Sequence, residues 1–382
     1  MLTQGINFKN FKLKSSNLKI KKELFSILNN KNEVLLSLGE NYKINFNLHK
    51  YKNFKNIRII GMGGSTLGTQ AIYDFLKHKI KRDFTFISNL GHGKFYPKKE
   101  YLNLVISKSG NTLETIVNSN IYINKKEKNI FITENKKSIL KDIGLKLKNE
   151  IIDHNNYIGG RYSVLSEVGM LPAELMGLNI RKFKRLNNLI KNKSFFDSII
   201  NNVANILELI RFKKTNSVIL NYDETADNLL KWYQQLVAES LGKKGHGVFP
   251  IISTMPKDNH SLMQLYLEGQ KNNFYTFFYS QEKLDAKINS RIIPEDVKFL
   301  RNKKLSNILS SQIIATQNVF KKKNIPFRSF LIKTKSEEAL GELFSFFIIE
   351  TILIAKALKI NPYDQPAVEL IKKETKKILL RS

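Results

Sequence analysis

Short apolar runs alternate with longer amphipathic stretches along this chain. Runs of five or six mostly apolar residues predict buried strands at 56–60, 84–88, 102–106, 129–133, 217–222, 274–278 and 327–332. Helical periodicity and helix-start signals predict helices at 22–38, 69–79, 113–122, 226–241, 261–268, 305–321, 339–358 and 361–373. Strands that alternate with helices in this way predict an α/β fold, in which mostly parallel sheets are covered by helices on both faces.

The length of the chain predicts two domains, with three as the alternative. A chain of 382 residues exceeds the usual size of one domain, and the α/β pattern occurs twice. We therefore expect a first domain over 46–190 and a second domain, with the C-terminal helices, over 191–382. Residues 1–45 are polar and rich in Lys and Asn, and we expect them to form a peripheral segment.

The apolar stretches predict a protein of the cytoplasm. The most apolar window, 343–360, contains Glu350 and Lys356, so it fits a buried core helix better than a membrane span. The N-terminus offers no uninterrupted apolar run, which argues against a secretory signal. The chain has no Cys, which excludes disulfides and thiolate metal sites and is compatible with a reducing compartment.

The charge balance is strongly basic, with 63 Lys and Arg against 33 Asp and Glu and a net charge of +30. Such a surface attracts polyanions. The cations are mostly Lys and are spread in short clusters such as 321–323, without the Arg-rich, aromatic-interleaved stripes of nucleic-acid readers. We therefore expect no dedicated nucleic-acid function, but a positive field that steers phosphorylated metabolites.

Two predicted strand-to-helix turns are rich in Gly and hydroxyl residues. Residues 61–68 read Gly-Met-Gly-Gly-Ser-Thr-Leu-Gly, and residues 107–115 read Ser-Lys-Ser-Gly-Asn-Thr-Leu-Glu-Thr. Backbone N–H groups at a helix start, together with Ser and Thr hydroxyls, suit a phosphate. Because both turns follow strands, one pocket can use both. Taken alone, each stretch also fits an ordinary turn and helix cap.

Three polar patterns occur downstream. Arg161 follows two Gly residues at the head of an apolar helix, where its planar cation suits an oxyanion or, alternatively, a surface ion pair. Gln235 and Glu239 lie four residues apart on one helix face, either as a substrate-binding amide beside a proton-transfer acid or as an exposed polar face. His260 precedes a predicted helix, where most single His residues are ordinary surface or cap residues.

Five motifs together resemble the glucose-6-phosphate isomerase family. They read Gly-Met-Gly-Gly-Ser at 61–65, Ser-Lys-Ser-Gly-Asn-Thr-Leu-Glu-Thr at 107–115, Gly-Gly-Arg-Tyr-Ser-Val-Leu-Ser at 159–166, Gln-Gln-Leu-Val-Ala-Glu-Ser at 234–240 and Asp-Gln-Pro-Ala-Val-Glu-Leu-Ile-Lys at 364–372. They follow the family's order and spread over most of the chain. The resemblance implies two sugar-isomerase (SIS-type) three-layer α/β/α domains and a homodimer with shared active sites.

The resemblance also implies a reaction and its substrate-binding residues. The reaction is the interconversion of glucose 6-phosphate and fructose 6-phosphate in glycolysis and gluconeogenesis, without metal or organic cofactor. The phosphate would be held by Ser107, the backbone of Lys108, Ser109 and Thr112. The sugar would be contacted by Gly64, Ser65, Gln235 and Gln365.

The catalytic roles follow from the same resemblance. Glu239 would be the base that moves a proton between neighbouring carbons, and Arg161 would stabilise the enediolate. His260, from the partner subunit, and Lys372 would open the sugar ring. An isomerase that also accepts mannose 6-phosphate is an alternative. So is a non-catalytic sugar-phosphate-binding module, although the catalytic residues would then be superfluous.

Overall fold

The computed structural model describes residues 1, 4–13, 17–44, 46–91, 100–124, 126–281 and 286–381. It confirms the predicted α/β class, with two five-stranded sheets and helices on their faces. The elements of the first half are β1 Ile6–Lys9, α1 Leu18–Asn29, α2 Glu33–Ser37, β2 Asn56–Gly61, α3 Leu67–Phe75, β3 Asp83–Ile87, β4 Tyr101–Ile106, α4 Leu113–Tyr122, β5 Lys128–Glu134, α5 Ile139–Lys146, β6 Glu150–His154, α6 Glu167–Leu175, α7 Ile180–Phe183 and α8 Leu186–Leu189.

The second half continues the alternation. Its elements are α9 Lys193–Arg211, β7 Asn216–Asn221, α10 Asp227–Leu241, β8 Phe249–Thr254, α11 Asp258–Ser261, α12 Met263–Glu268, β9 Asn273–Ser280, α13 Leu305–Lys322, β10 Phe327–Ile332, α14 Glu337–Ala357 and α15 Val368–Leu379. Short 3₁₀ turns lie at His49–Tyr51, Gly63–Ser65, Lys77–Lys79, Gly160–Leu165, Glu224–Ala226, Ser290–Ile292 and Glu295–Leu300.

The first sheet is wholly parallel and has the order β3-β2-β4-β5-β6. Along the chain, β2 is the first strand of this sheet. Strand β3 then pairs on one side of β2, and β4 pairs on the other side. The strand order therefore reverses between β2 and β4, and the crevice at such a reversal is where open α/β sheets bind ligands. Gly61 pairs with Ile106 at the carboxyl ends of these two strands, so both Gly- and hydroxyl-rich turns leave the sheet side by side.

The second sheet has the order β1-β10-β9-β7-β8. Strands β7 to β10 are parallel, whereas β1 pairs with β10 in the antiparallel direction, with Ile6 opposite Ile332. The beginning of the chain is thus part of a sheet formed by its second half. The division into domains at 45 and 190 stays a prediction.

Helices α3 and α10 join the two halves by packing against each other in opposite directions. Near one end, Asn228 donates to a carboxylate oxygen of Asp74 at 2.5 Å. Near the other end, the amide nitrogen of Gln235 lies against Gly63 in the turn after β2. This packing brings the last two turns of α10 to the carboxyl edge of the first sheet.

Helix α14 is buried along most of its length, as predicted for a core helix. Its Glu350 is 0% exposed and forms an ion pair with Arg328 of β10, which is 1% exposed. Asn202 and Tyr233 also donate to the Glu350 carboxylate, at 2.5 and 2.8 Å. In the described part of the chain, no helix has both the length and the apolar character needed to cross a membrane.

Candidate active site

Two Gly-rich turns touch each other at the centre of the site. Gly64 is buried in the turn after β2, and a side-chain carbon built on it would lie 2.3 Å from the carbonyl carbon of Gly160. The same carbon would lie 2.6 Å from the backbone nitrogen of Arg161. Because any side chain at position 64 would push these backbones apart, Gly is required there for the close approach. The contact fixes the turn that carries Arg161.

Arg161 is the hub of a hydrogen-bond network and is only 2% exposed. Its Nε donates to the Ser240 hydroxyl at 2.8 Å. One terminal nitrogen donates to Glu239 at 3.1 Å and to the side-chain oxygen of Gln365 at 2.7 Å. The other donates to the carbonyl oxygens of Pro362 and Asp364 at 2.6 and 3.0 Å. A guanidinium with this many fixed partners holds one orientation, as a preorganised cation must.

Gln235 and Glu239 share the face of α10 that points at this network. The amide nitrogen of Gln235 donates to Glu239 Oε1 at 2.8 Å, while Arg161 binds Oε2. The Glu239 side chain keeps 27% of its surface exposed, so it remains accessible from the cleft. The side-chain oxygen of Gln235 is buried and has no hydrogen-bond partner among the described residues, which makes it available to a ligand hydroxyl.

A loop between α14 and α15 closes one side of the site. Lys243, just after α10, donates to the carbonyl oxygens of Asn361 and Asp364, both at 2.5 Å, and pairs with the Asp364 carboxylate at 2.7 Å. Together with the bonds from Arg161, these contacts hold the backbone that presents Gln365. The exposed Gln365 side chain is thereby placed beside Glu239.

The predicted phosphate turn gathers hydroxyl groups at the start of α4. The hydroxyl oxygens of Ser107 and Thr112 lie 2.9 Å apart. Gly110 turns the chain between them with a φ of +64°, a conformation that favours Gly. Thr115, in the first turn of the helix, has a buried hydroxyl with no hydrogen-bond partner among the described residues. Hydroxyls at the positive end of a ten-residue helix are groups that suit an anion.

The backbone of the same turn is held by the neighbouring strand. The Lys108 carbonyl accepts hydrogen bonds from the Glu134 amide at 2.9 Å and the Thr133 hydroxyl at 3.1 Å. Its ammonium pairs with Glu134 at 3.3 Å. The Ser109 hydroxyl is exposed and accepts from the Asn111 amide at 3.3 Å. These bonds fix the shape of the turn before any ligand is bound.

The structure brings most of the predicted site residues to one crevice, whereas His260 and Lys372 form no hydrogen bond or ion pair with the others in the described part of the chain. Gly64, Ser65 and the phosphate turn follow neighbouring strands, and Arg161 contacts both Glu239 and Gln365 directly. Lys372 is exposed on α15 and pairs with Glu369 at 2.6 Å. His260 is exposed on α11, which follows the carboxyl end of β8.

His260 and Glu239 lie at opposite edges of the second sheet. Helix α10 runs back along the sheet, and Gln234 near its end donates to the carbonyl of Pro250 at the start of β8. His260 lies beyond the other end of β8, close to Met255, whose amide donates to Asn221. A six-residue strand spans roughly 20 Å, so the two side chains of one chain are about that far apart.

Several residues of the network were not predicted from the sequence. Ser240 binds Arg161 and also lies 2.8 Å from the Tyr162 hydroxyl, while Trp232 donates to the Arg161 carbonyl at 3.1 Å. Ser240 and Tyr162 each lie inside a recognised motif, so their position beside Arg161 or Glu239 was the available signal. Lys243 stands among many other Lys residues and carried no such signal. Among the described residues, no cluster of His, Asp or Glu could hold a metal ion.

Comparison with known proteins gives consistent results. The phosphoglucose isomerase family model matches residues 30–255. Glucose-6-phosphate isomerase of Methanocaldococcus jannaschii is 35% identical, with 88% of this chain and 86% of that protein covered. Glucose-6-phosphate isomerase of Mycoplasmopsis pulmonis is 30% identical, with 87% and 84% covered. The solved structure of a hypothetical protein from Thermus thermophilus has a TM-score of 0.82 at 22% identity, covering 95% of this chain and 94% of that one.

Proposed function

Because this chain belongs to the phosphoglucose isomerase family, we propose that it interconverts D-glucose 6-phosphate and D-fructose 6-phosphate. The observation that carries the proposal is the contact of Arg161 with Glu239 and Gln365, which are 78 and 204 residues away in the chain. A cation, a carboxylate and an amide that meet beside a phosphate turn are the groups that an aldose–ketose isomerisation requires.

In this proposal the phosphate turn anchors one end of the hexose. Ser107, Ser109, Thr112 and the backbone of Lys108 bind the phosphate, and the unpartnered hydroxyl of Thr115 adds a donor. The sugar then extends along Gly64 and Ser65 toward α10. There the free side-chain oxygen of Gln235 and the amide group of Gln365 bind its hydroxyls. Binding at both ends holds carbons one and two beside Glu239.

Glu239 acts as the base in the proposed chemistry. Its carboxylate takes the proton from carbon two of glucose 6-phosphate and returns it to carbon one, and the reverse reaction uses the same group. The negative charge that develops on the enediolate oxygens is stabilised by the Arg161 guanidinium, which the network already holds in position. Lys372 and His260 are proposed to move the proton that opens the sugar ring.

Glu239→Gln is the direct test. The Gln side chain keeps an oxygen for Arg161 but cannot take a proton, so we expect turnover of glucose 6-phosphate to fall by about 10²–10⁴-fold. Exchange of the carbon-two hydrogen with deuterated water, followed by NMR, should fall in parallel. Glu208→Gln is the matched control, because Glu208 pairs with Arg211 on the surface of α9. A loss of less than about tenfold in Glu239→Gln would show that another group is the base.

We further propose that the enzyme is a homodimer in which His260 serves the site of the partner. The roughly 20 Å between His260 and Glu239 supports this, since one chain cannot direct both side chains at one hexose. A twofold dimer places the same element of each chain against the other, so a single contact would complete two sites. We also propose that it acts in the cytoplasm, the compartment in which phosphorylated sugars are handled.

Complementation tests the shared site. Glu239→Gln and His260→Asn dimers should each be nearly inactive, because both of their sites lack one group. In a hybrid of the two chains, one site combines the intact Glu239 of one chain with the intact His260 of the other. Random exchange makes half of the dimers hybrid, so activity should return to about one quarter of the wild-type value. No gain on mixing, with exchange verified by mass spectrometry, would place His260 in its own chain's site or outside catalysis.

A further inference from the structure

A second cleft, outside the candidate active site, is lined mainly by cations. It has a volume of about 620 Å³ and lies between the segment after α2, the segment from α7 to α8, and the start of α14. Five cationic side chains line it, namely Lys43, Arg181, Lys182, Lys184 and Arg185. Glu40 and Glu338 are its only carboxylates among the described lining residues, so positive charge exceeds negative charge by three.

The carboxylates of the cleft already have partners. Glu338 pairs with Lys182 at 3.2 Å, and Glu40 accepts a hydrogen bond from the Asn188 amide at 2.9 Å. Within the described ranges, Lys43, Arg181 and Arg185 form no ion pair with a carboxylate. The positive charge of these three side chains is therefore not compensated locally by the protein.

Lys184 distinguishes this cleft from the many other basic patches of the surface, because it is buried. It is only 4% exposed, whereas the surface Lys residues are solvated. Its ammonium donates to the Ser37 carbonyl at 3.2 Å and lies 4.4 Å from the centre of the Tyr42 ring. The structure gives this ammonium no second acceptor among the described residues, although an ammonium has three donors.

The surroundings of Lys184 are rigid. Tyr42 donates its hydroxyl to Glu167 at 2.7 Å, and Glu167 in turn lies 3.1 Å from the Nδ1 of His154. Burial raises the pKa of Tyr42, and the negative charge of the nearby Glu167 raises it further, so this hydroxyl stays a neutral donor. Burial lowers the pKa of Lys184 and the charge of the nearby Glu167 raises it, so this carboxylate compensates the ammonium in part. Glu167 accepts no hydrogen bond from Lys184 in the described structure, so the unused donors of the ammonium stay available to an anion in the cleft.

We propose that this cleft binds a small phosphate-bearing anion, with Lys184 as the buried anchor and Arg181 and Arg185 as the outer contacts. The planar guanidinium groups can each bind two phosphate oxygens, while the ammonium acts as a point charge behind them. The volume suits a ligand of metabolite size. The site is separate from the phosphate turn and does not depend on the proposed isomerase activity.

Calorimetric titration with inorganic pyrophosphate tests the proposal. The titration is performed at fixed ionic strength in a buffer without phosphate, since screening would otherwise vary. A Ser107→Ala/Thr112→Val background weakens the other anion site, so that the cleft is measured alone. In this background we compare Lys184→Met and Arg185→Gln with Lys322→Met, which removes one exposed cation from α13. Circular dichroism verifies the fold of each variant.

We expect one pyrophosphate per chain in the background protein and with Lys322→Met. Lys184→Met and Arg185→Gln should each weaken this binding by about tenfold or more, because each removes one charge-assisted contact. Arg185 lines the cleft and is only half-buried, so its variant tests the site even if Lys184→Met fails to fold. Absence of binding in the background protein would overturn the proposal, and so would equal effects of Arg185→Gln and Lys322→Met, which would indicate only diffuse attraction to a basic surface.

Discussion

Replacing Gly64 by Ala should disable the site through a backbone contact. The added carbon would lie 2.3 Å from the carbonyl carbon of Gly160, 2.5 Å from its oxygen and 2.6 Å from the Arg161 nitrogen. Ordinary contacts begin near 3.4 Å, and all three atoms belong to the backbone, so no side chain can rotate away. One of the two turns must therefore move by roughly 1 Å in a closely packed interior.

This displacement should lower both the stability of the protein and its catalytic rate. Overpacking a buried position costs about 1–3 kcal/mol of unfolding free energy. A displacement of this size at Arg161 would disturb its bonds to Glu239 and Gln365, and a 1 Å misplacement of catalytic groups can cost on the order of 10²-fold in rate. We therefore expect kcat/KM for glucose 6-phosphate to fall by about two orders of magnitude in a folded but less stable protein.

Gly159→Ala is the matched control in the neighbouring turn. Its added carbon would meet nothing closer than the Tyr162 ring at 3.7 Å, and the backbone φ of −67° suits any residue. We expect this variant to keep its activity within about twofold, because surface-type changes without new strain cost little. Coupled enzyme assays and thermal unfolding should be measured on both variants. If Gly64→Ala retained kcat/KM within a factor of about three, the contact between the turns would not position Arg161.

Three further predictions concern binding and stability. Ser107→Ala/Thr112→Val should raise KM for glucose 6-phosphate by about 10²-fold, since each lost bond to a charged phosphate is worth about 1.5 kcal/mol or more, and unchanged KM in steady-state assays would contradict the phosphate turn. Glu350→Gln should lower the urea-derived unfolding free energy by about 3–5 kcal/mol because Arg328 stays buried without its anion. The Glu350→Leu/Arg328→Met double variant should lose much less unfolding free energy. Equal losses in the two variants would show that the unpaired Arg328 charge is not the cause. Burial lowers the pKa of Lys184 to about 8 from its usual 10.5, so above pH 8 the unfolded chain holds a proton that the folded chain has released. The unfolding free energy of the wild type relative to Lys184→Met should then rise by up to about 3 kcal/mol between pH 8 and 10.5. If the difference between the two proteins did not change with pH, the ammonium would be solvated.

Elements with strong local patterns could be predicted from the sequence. The helix predicted at 113–122 is α4, Leu113–Tyr122, and the strand predicted at 327–332 is β10, Phe327–Ile332. In both, the apolar pattern and the flanking turn residues favour the same structure, so tertiary contacts had nothing to override. The buried character of α14 followed equally well from its apolar run.

Elements that depend on distant contacts could not be predicted. Strand β1 has four residues and no apolar run, and it exists because it pairs with β10 more than three hundred positions away. Strands β6 and β8 also lacked a sufficient local signal. Helix α9, by contrast, was missed although its apolar residues recur at helical spacing and the Asn192 side chain caps its start. The single helix predicted at 22–38 is two helices, because the Asn32 side chain accepts a hydrogen bond from the Leu35 amide and starts α2 anew.

The site shows the same division between local and distant information. The five motifs identified the site residues, and the chemistry of their side chains indicated their roles. The contact between Gly64 and Gly160 could not be predicted in this way, because it joins two turns about a hundred residues apart. Lys243 has no motif, yet it holds the loop that presents Gln365. Such supporting residues act through geometry, which composition and spacing do not report.

The opposed directions of the two sheets explain why the site lies where it does. Because α3 and α10 are antiparallel, the carboxyl edge of the first sheet faces the same side as the amino edge of the second. Glu239, at the end of α10, can therefore reach the turn at Gly64, whereas the carboxyl edge of the second sheet, with His260, points away from it. In the proposed dimer, each chain would contribute one binding edge to its own site and the other edge to the site of its partner. Sharing of sites between subunits would then follow from the topology itself, since no movement within one chain brings the far edge of a packed sheet to the near one.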